Sequence, residues 1–232
     1  MNHEITNSSQ SVLGENHSEF LSQLQSVLES RFPSEKAATI TQFAKIYYAA
    51  SPITELLTTR KDDLYGATVS AWEFLQTFNA VKPKLRVYNP EFEQHGWQSN
   101  HSVVEVLCKD IPFLVDSVRM VLNRSGIVVH SICNSVYRAS RDEKHGLLEI
   151  KNQIIEVESA RQMPSAEEGM QAEAFLHVEV ARESNRQTLK KVEEAIIETV
   201  KELELVVCDF TKMLKVAGGL ATQLKKGMTL WD

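Results

Sequence analysis

Apolar residues recur along this chain with two different periods, and the change between them divides it. From Ser18 to about Asn79 the period is helical. Phe20, Leu21, Leu24, Val27 and Leu28 make one stripe. Ser34, after Pro33, is the residue type that caps a helix start, and the helix it predicts carries Ile40, Phe43, Ala44, Tyr47 and Tyr48. Ser51-Pro52 interrupts that helix and starts a short helical piece. A fourth helix is predicted from about Asp62 to Phe78, with Leu64, Val69, Trp72, Leu75 and Phe78 in its apolar set. These aromatic residues read as bundle core. Residues 1–17 are polar and without period, and are expected to form a loose tail.

At Lys82-Pro83-Lys84 the residue types change to those that favour strands. Leu85 to Tyr88 is a short strand closed by Asn89-Pro90, and 91–100 reads as a loop or hairpin turn. Val104, Val106 and Cys108 then face one way, and Val103, Glu105 and Leu107 the other. Two long strand-like runs, Ile127 to Arg138 and Leu147 to Val157, flank the turn from Arg141 to Gly146 and predict an antiparallel hairpin. Ser159 to Glu173 reads as a linker. Leu176, Val178 and Val180 mark one more strand, with Phe175, His177 and Glu179 opposite. A long helix follows from about Asn185, buried through Leu189, Val192, Ile196, Val200 and Leu203. The run from Glu204 to Val216 fits either helix or strand, because Val206-Val207-Cys208 suits both. Residues 217–232 are expected to be a tail, or a link to a longer polypeptide.

The most informative stretch is Lys109 to Ile127. Asp110 has the chemistry of a helix cap and suits the positive end of the dipole. Pro112 is expected in the first turn, where a missing N–H costs little. Leu114, Val115, Val118, Val121 and Leu122 make one apolar face, with Asp116, Arg119 and Asn123 on the wet face. Gly126 suits the left-handed residue that ends a helix. With the strands on either side this is a β-α-β unit, whose crossover should be right-handed.

These residues carry a resemblance. Strand, Asp-x-Pro-x-Leu, helix, Gly-Ile and strand resembles the opening of the ACT domain, a small regulatory module. Leu85-Arg-Val-Tyr-Asn-Pro90, Asp110-Ile-Pro-Phe-Leu-Val-Asp-Ser117, Arg141-Asp142 with Gly146, Phe175-Leu-His-Val-Glu-Val180 and Asp209-Phe-Thr-Lys-Met213 are similar, in that order, to the N-terminal region of the large bacterial NAD-specific glutamate dehydrogenases. The resemblance covers roughly Leu85 to Val216. Many ACT domains place Gly where Phe113 stands, so that a ligand can approach the backbone. The dehydrogenases often have His-Pro at Asn134-Ser135.

The resemblance implies an α+β fold: a helical segment (18–82), then an ACT-like, ferredoxin-like, mainly antiparallel sheet domain (83–216) with helices on one face. It implies a non-catalytic regulatory or assembly role in a parent enzyme that deaminates L-glutamate with NAD. Its partners would be the rest of the parent chain, further copies of itself and an amino-acid effector. The alternative is a free-standing ACT-type amino-acid sensor. Asp110, Ile111, Pro112, Phe113 and Phe175 are the residues expected to meet an effector or partner. The sequence shows three strands between the two core helices where an ACT domain has two.

Composition narrows the classes. The chain has 232 residues, 43% hydrophobic and 24% charged, an ordinary globular balance. A net charge of -6 argues against a phosphate-backbone partner, and Lys225-Lys226 is too small a cluster to reverse that. No apolar run has membrane-spanning length, and the N-terminus has no secretion-signal pattern, so a cytoplasmic chain is expected. Cys108, Cys133 and Cys208 are odd in number and widely spaced, which favours buried free thiols. No catalytic or metal-binding set emerges. His177-Val-Glu179 lacks the Pro-Cys-x-x-Cys of a zinc deaminase. His101 and Glu105 have metal-ligand spacing only on a helix, and they lie in a strand. Gly218-Gly219 lacks a third glycine, so no cofactor is expected on this segment.

Overall fold

The computed structural model describes residues 3–49, 51–152 and 169–228. Four helices come first: α1 (His3–Arg31), α2 (Ser34–Tyr47), α3 (Ile53–Thr58) and α4 (Lys61–Leu75). Strand β1 (Lys84–Tyr88), the short helix α5 (Phe92–His95), β2 (Ser102–Lys109) and α6 (Leu114–Arg124) follow. The chain then forms β3 (Val129–Arg141), β4 (Leu147–Asn152), β5 (Met170–Val180) and the long helix α7 (Arg186–Met228). The architecture is α+β, as the sequence predicts.

Three bounds differ from expectation. Helix α1 begins at His3, inside the stretch read as a tail, and α7 runs to Met228, through the C-terminal stretch read the same way. Apolar period reports which face of a helix is buried, and a stretch without that period can still coil. Strand β5 begins at Met170, four positions inside the expected linker. The strand run beyond Asn152 and most of that linker fall outside the described residues.

The sheet order is β1-β2-β5-β3-β4, and every pairing is antiparallel. β5 joins β2 to β3, so the two arms of the β2-α6-β3 crossover run parallel with β5 between them. The third strand between the core helices is thereby explained. β4 is the outer arm of the β3 hairpin and forms one edge, while β5 takes the central place. β1 pairs with the outer side of β2, closing the other edge from before the β-α-β unit.

Each face of the sheet is covered, giving three layers. On one face Val104, Val106, Leu176, Val178 and Val180 pack under α6 and α7, meeting Leu114, Val118, Leu122, Val192, Ile196 and Val200. On the other, Leu107, Tyr137, Ala139, Ile150 and Phe175 share a core with Leu28, Ile40, Phe43, Tyr47, Trp72 and Phe74 of the N-terminal helices. The core helices α6 and α7 lie on one face, as expected, and the N-terminal helices take the other. The mixed face with Val103, Leu107 and Phe175 is covered by the chain's own helical segment, as burial of clustered apolar side chains requires.

Charge locks this second layer in place. The C-terminal carbonyls of α4 face strands β1 and β3, which supply cations. Lys84 Nζ donates to the carbonyls of Phe74 (2.6 Å) and Thr77 (3.0 Å). Arg141 donates to the carbonyl of Leu75 (3.1 Å) and holds Glu173 through two bonds of 2.7 Å. Arg86 donates to the carbonyl and hydroxyl of Ser70. Positive groups at a helix C-terminus satisfy its free carbonyls and its dipole together.

Candidate functional site

The helix start before α6 is built differently from the sequence reading. The helix begins at Leu114, and no side chain caps it. Asp110 precedes the helix by a turn; its backbone N–H donates to the carbonyl of Ala172, extending the β2–β5 ladder. Asp110 is thus not the cap, and Pro112 lies in the turn ahead of the first helical residue. Proline biases the residue before it away from helix, so the chain turns before it coils. Phe113 occupies the position entering the helix with φ of 66°, and its ring is 68% exposed. Desolvation by the surrounding chain raises the pKa of the Asp110 carboxyl. At the other end of α6 the reading holds. Gly126 adopts φ of 71°, and Ile127 N–H closes back on the carbonyl of Leu122.

Phe175, the other residue expected to meet a partner, is wholly buried. It packs against the rings of Phe43, Tyr47 and Phe74. It joins the layers and presents no surface to a ligand.

The structure brings together a different group. Registers place Arg86, Glu105, His177 and Cys133 in one row across β1, β2, β5 and β3. Glu105 is buried and bonded to Arg86 on one side and to His177 Nδ1 (3.3 Å) on the other. Burial alone would raise the Glu105 pKa; the His177 bond and the Arg86 charge outweigh it and hold the carboxyl below its ordinary value. The adjoining row holds Val103, Glu179 and Ser131, and His101 Nδ1 reaches Glu179 (2.9 Å) from the strand start. The rings of His101 and His130 lie against each other at a tilt, with centroids 4.4 Å apart.

These rows turn polar where the helical cover ends. Beyond Tyr47 the chain leaves α2, and a cleft of about 1090 Å³ opens between α3, α4, the 90–101 loop and the sheet. His101, His130, Cys133, His177 and Glu179 line its sheet side, and Arg60, Asp63 and Trp97 its wall. The wall depends on Gly66. A Cβ at that position would stand 2.5 Å from the carbonyl oxygen of Gly96, so only glycine lets α4 meet this loop. The Trp97 indole N–H has no protein partner among the described residues.

The row Cys133, His177, Glu105 has the residue types of a nucleophile, a base and an orienting acid. The geometry does not use them that way. The Cys133 thiol donates to the carbonyl of Tyr47 (3.0 Å), and burial raises its pKa, the reverse of an activated thiolate. Among the described residues no cluster of His, Cys, Asp and Glu has metal-holding geometry.

Sequence reasoning passed over Arg86 and Glu105 as a pair. The parity of His101, Val103 and Glu105 on one strand, and of His177 and Glu179 on another, put them on matching faces. Only the β2–β5 register shows who meets whom.

The fold and these motifs agree with comparison to known proteins. Residues 43–196 match the family model described as glutamate dehydrogenase, ACT1 domain. The chain is 42% identical over 208 residues to an NAD-specific glutamate dehydrogenase of Halomonas elongata, covering 89% of the chain and 12% of that protein. It is 37% identical over 210 residues to the NAD-specific glutamate dehydrogenase of Pseudomonas aeruginosa, covering 90% of the chain and again 12% of the relative. The chain thus spans about an eighth of the length of these relatives, and it belongs to the glutamate dehydrogenase ACT1 domain family.

Proposed function

We propose that this segment is a non-catalytic regulatory or assembly module in the N-terminal region of a large NAD-dependent glutamate dehydrogenase. The parent reaction is the oxidation of L-glutamate by NAD and water to 2-oxoglutarate, ammonia and NADH, in the cytoplasm. The residues that hold NAD and perform the chemistry lie elsewhere in the parent. One observation supports this reading above the others. The reactive-looking groups in the sheet row are committed to one another: Glu105 to Arg86 and His177, and the Cys133 thiol to a backbone carbonyl. They join layers. The sheet topology supports placing NAD elsewhere in the parent. The sheet is antiparallel throughout and has no crevice at the ends of parallel strands, where dinucleotides bind.

The test is made in a full-length family enzyme. Replacing Glu105 by Leu should alter subunit assembly or the response to an amino-acid effector, while turnover per assembled active site stays the same. Unchanged assembly and unchanged response would sink the proposal.

A second reading is a free-standing amino-acid sensor, and the cleft beside His101 favours it. A thermal-shift screen of the chain against the twenty amino acids separates the two. Stabilisation by one of them, lost in His101→Ala, supports the sensor, because a ligand raises stability only by binding the folded state. The loop from Asp110 to Phe113 remains the alternative contact for the effector, and Phe113→Ala in the same screen distinguishes it.

A further inference from the structure

The cleft beside α3 and α4 is lined by more carboxylates than guanidinium groups. Glu55, Asp63, Glu91, Glu93 and Glu179 stand against Arg60 and Arg182. Both arginines already have acceptors within the chain. Arg60 Nε is 3.7 Å from the Asp63 carboxylate, and Arg182 donates to the carbonyl of Ser99 (2.9 Å). Asp63 also accepts from the backbone N–H of Gln98 (3.1 Å). Glu55, Glu91 and Glu93 form no salt bridge among the described residues. A concave surface with this balance of charge concentrates cations. Its volume of about 1090 Å³ lies at the upper end for a small-molecule site.

The sheet side adds an acceptor that the fold leaves over. His177 is 7% exposed and lines the cleft. Its Nδ1 is 3.3 Å from Glu105, whose carboxyl Arg86 helps to hold below its ordinary pKa. A carboxylate only accepts, so Nδ1 carries the proton, and the neutral ring keeps its lone pair at Nε2. No described residue bonds to Nε2. Two positions along β5, on the same face, Glu179 gives Oε2 to His101 Nδ1 and has Oε1 to spare. The register shift in β3 between Val129 and Ser131 falls beside Glu179. It brings two consecutive residues, His130 and Ser131, into the lining, the re-aiming that a bulge performs.

We propose that this cleft binds a small organic molecule by its primary ammonium group, with Glu179 supplying the countercharge and His177 Nε2 a neutral acceptor. An ammonium donates in three directions, which suits two acceptors at neighbouring positions on one strand face. Arg86 and Glu105 are positioning residues: they fix the tautomer that turns the lone pair of His177 to the ligand. The ammonium group is common to simple amines and amino acids. For an amino acid the proposal deepens the sensor reading above by naming the group recognised; for a simple amine it stands without that reading.

The test titrates the full chain, by calorimetry and thermal shift, with four probes of matched skeleton. Butan-1-amine carries the ammonium alone, norvaline the ammonium and a carboxylate, pentanoate the carboxylate alone, and butan-1-ol neither. Butan-1-amine, norvaline or both should bind and raise the melting temperature, and the other two should not. Which of the two binds assigns the source. Glu179→Gln, which keeps an oxygen for His101, should weaken binding at least tenfold. Glu149→Gln, a carboxylate on β4 outside the cleft, should leave binding unchanged. In nitrogen-15 spectra of the histidines, the bound probe should move the Nε2 signal of His177. The proposal is overturned if no probe binds, or if pentanoate or butan-1-ol binds as well as the amines. Binding that survives Glu179→Gln, falls equally in Glu149→Gln, or leaves the His177 signal in place also overturns it. An amino acid that stabilises the chain and binds Glu179→Gln unchanged would overturn this proposal and leave the sensor reading standing.

Discussion

At the scale of single residues, backbone conformation decides more than side-chain chemistry. Phe113 holds φ of 66°, a region that costs a residue with a Cβ about 1–2 kcal/mol. Many ACT domains have Gly at this point, and the structure supplies a reason besides ligand access: the chain must turn left-handed before α6. Phe113→Gly should therefore stabilise the fold by about 1 kcal/mol, read as a higher midpoint in urea, even though it removes a large apolar ring. An exposed ring has little burial to lose. Asp110→Ala, which would be costly if Asp110 were the cap, should change stability by no more than about 0.5 kcal/mol, and Asp116→Ala on the exposed face of α6 by a similar amount. Gly66→Ala belongs to the opposite class. Its added methyl meets backbone, which cannot swing aside, so a loss of roughly 1–3 kcal/mol is expected in the same melts.

At the scale of elements, the apolar face of α6 and the alternation of β2 were legible because both are half-buried, and half-burial is what writes a period into a sequence. The wet residues Asp116, Arg119 and Asn123 lie on the exposed face as read. Strand order was not legible. Nothing local to β5 says that it lies between β2 and β3, because pairing is fixed by register and by the competing packing of both faces. The polar row was hidden for the same reason: Arg86, Glu105 and His177 are far apart in sequence and meet only across three strands. The row makes a testable claim about pH. The folded chain holds Glu105 below its ordinary pKa of 4.5, so its charge favours folding fully above that pH. The contribution fades as pH falls through the lower folded value. Stability measured from pH 6 to pH 3 should drop less steeply in Glu105→Gln than in the parent chain, from a lower starting point. The Arg141–Glu173 pair, with side chains 10% and 1% exposed, is the more costly to break. Arg141→Ala leaves a buried carboxylate without its cation and should remove about 3–5 kcal/mol in a denaturant titration.

At the scale of the whole molecule, the helical segment and the sheet share one core, so the boundary at Lys82-Pro83-Lys84 divides composition and not stability. We expect residues 83–232 expressed alone to aggregate or to lack a cooperative melt. Leu107, Tyr137, Ile150 and Phe175 would then face water together. A sharp two-state transition in that fragment would show that the segment is a separable domain. The intact chain should give no NAD reduction with glutamate above buffer, and NAD should not raise its melting temperature. Turnover that survives repurification would refute the assignment of chemistry to another part of the parent.

The central place of β5 bears on how the chain is made. Synthesis is vectorial, and the strand that bonds both β2 and β3 is the last of the five to leave the ribosome. Until it arrives, β2 has only β1 beside it, and the aromatic surface of Phe43, Tyr47 and Phe74 waits for the ring of Phe175. The nascent molecule therefore carries an open slot one strand wide, bordered by two unpaired strand edges. Such a slot is open to pairing with other extended peptides until its own strand fills it. A chain stopped at residue 169 should be captured by strand-binding chaperones and protected by an added peptide of the β5 sequence, whereas one stopped after Val180 should escape both.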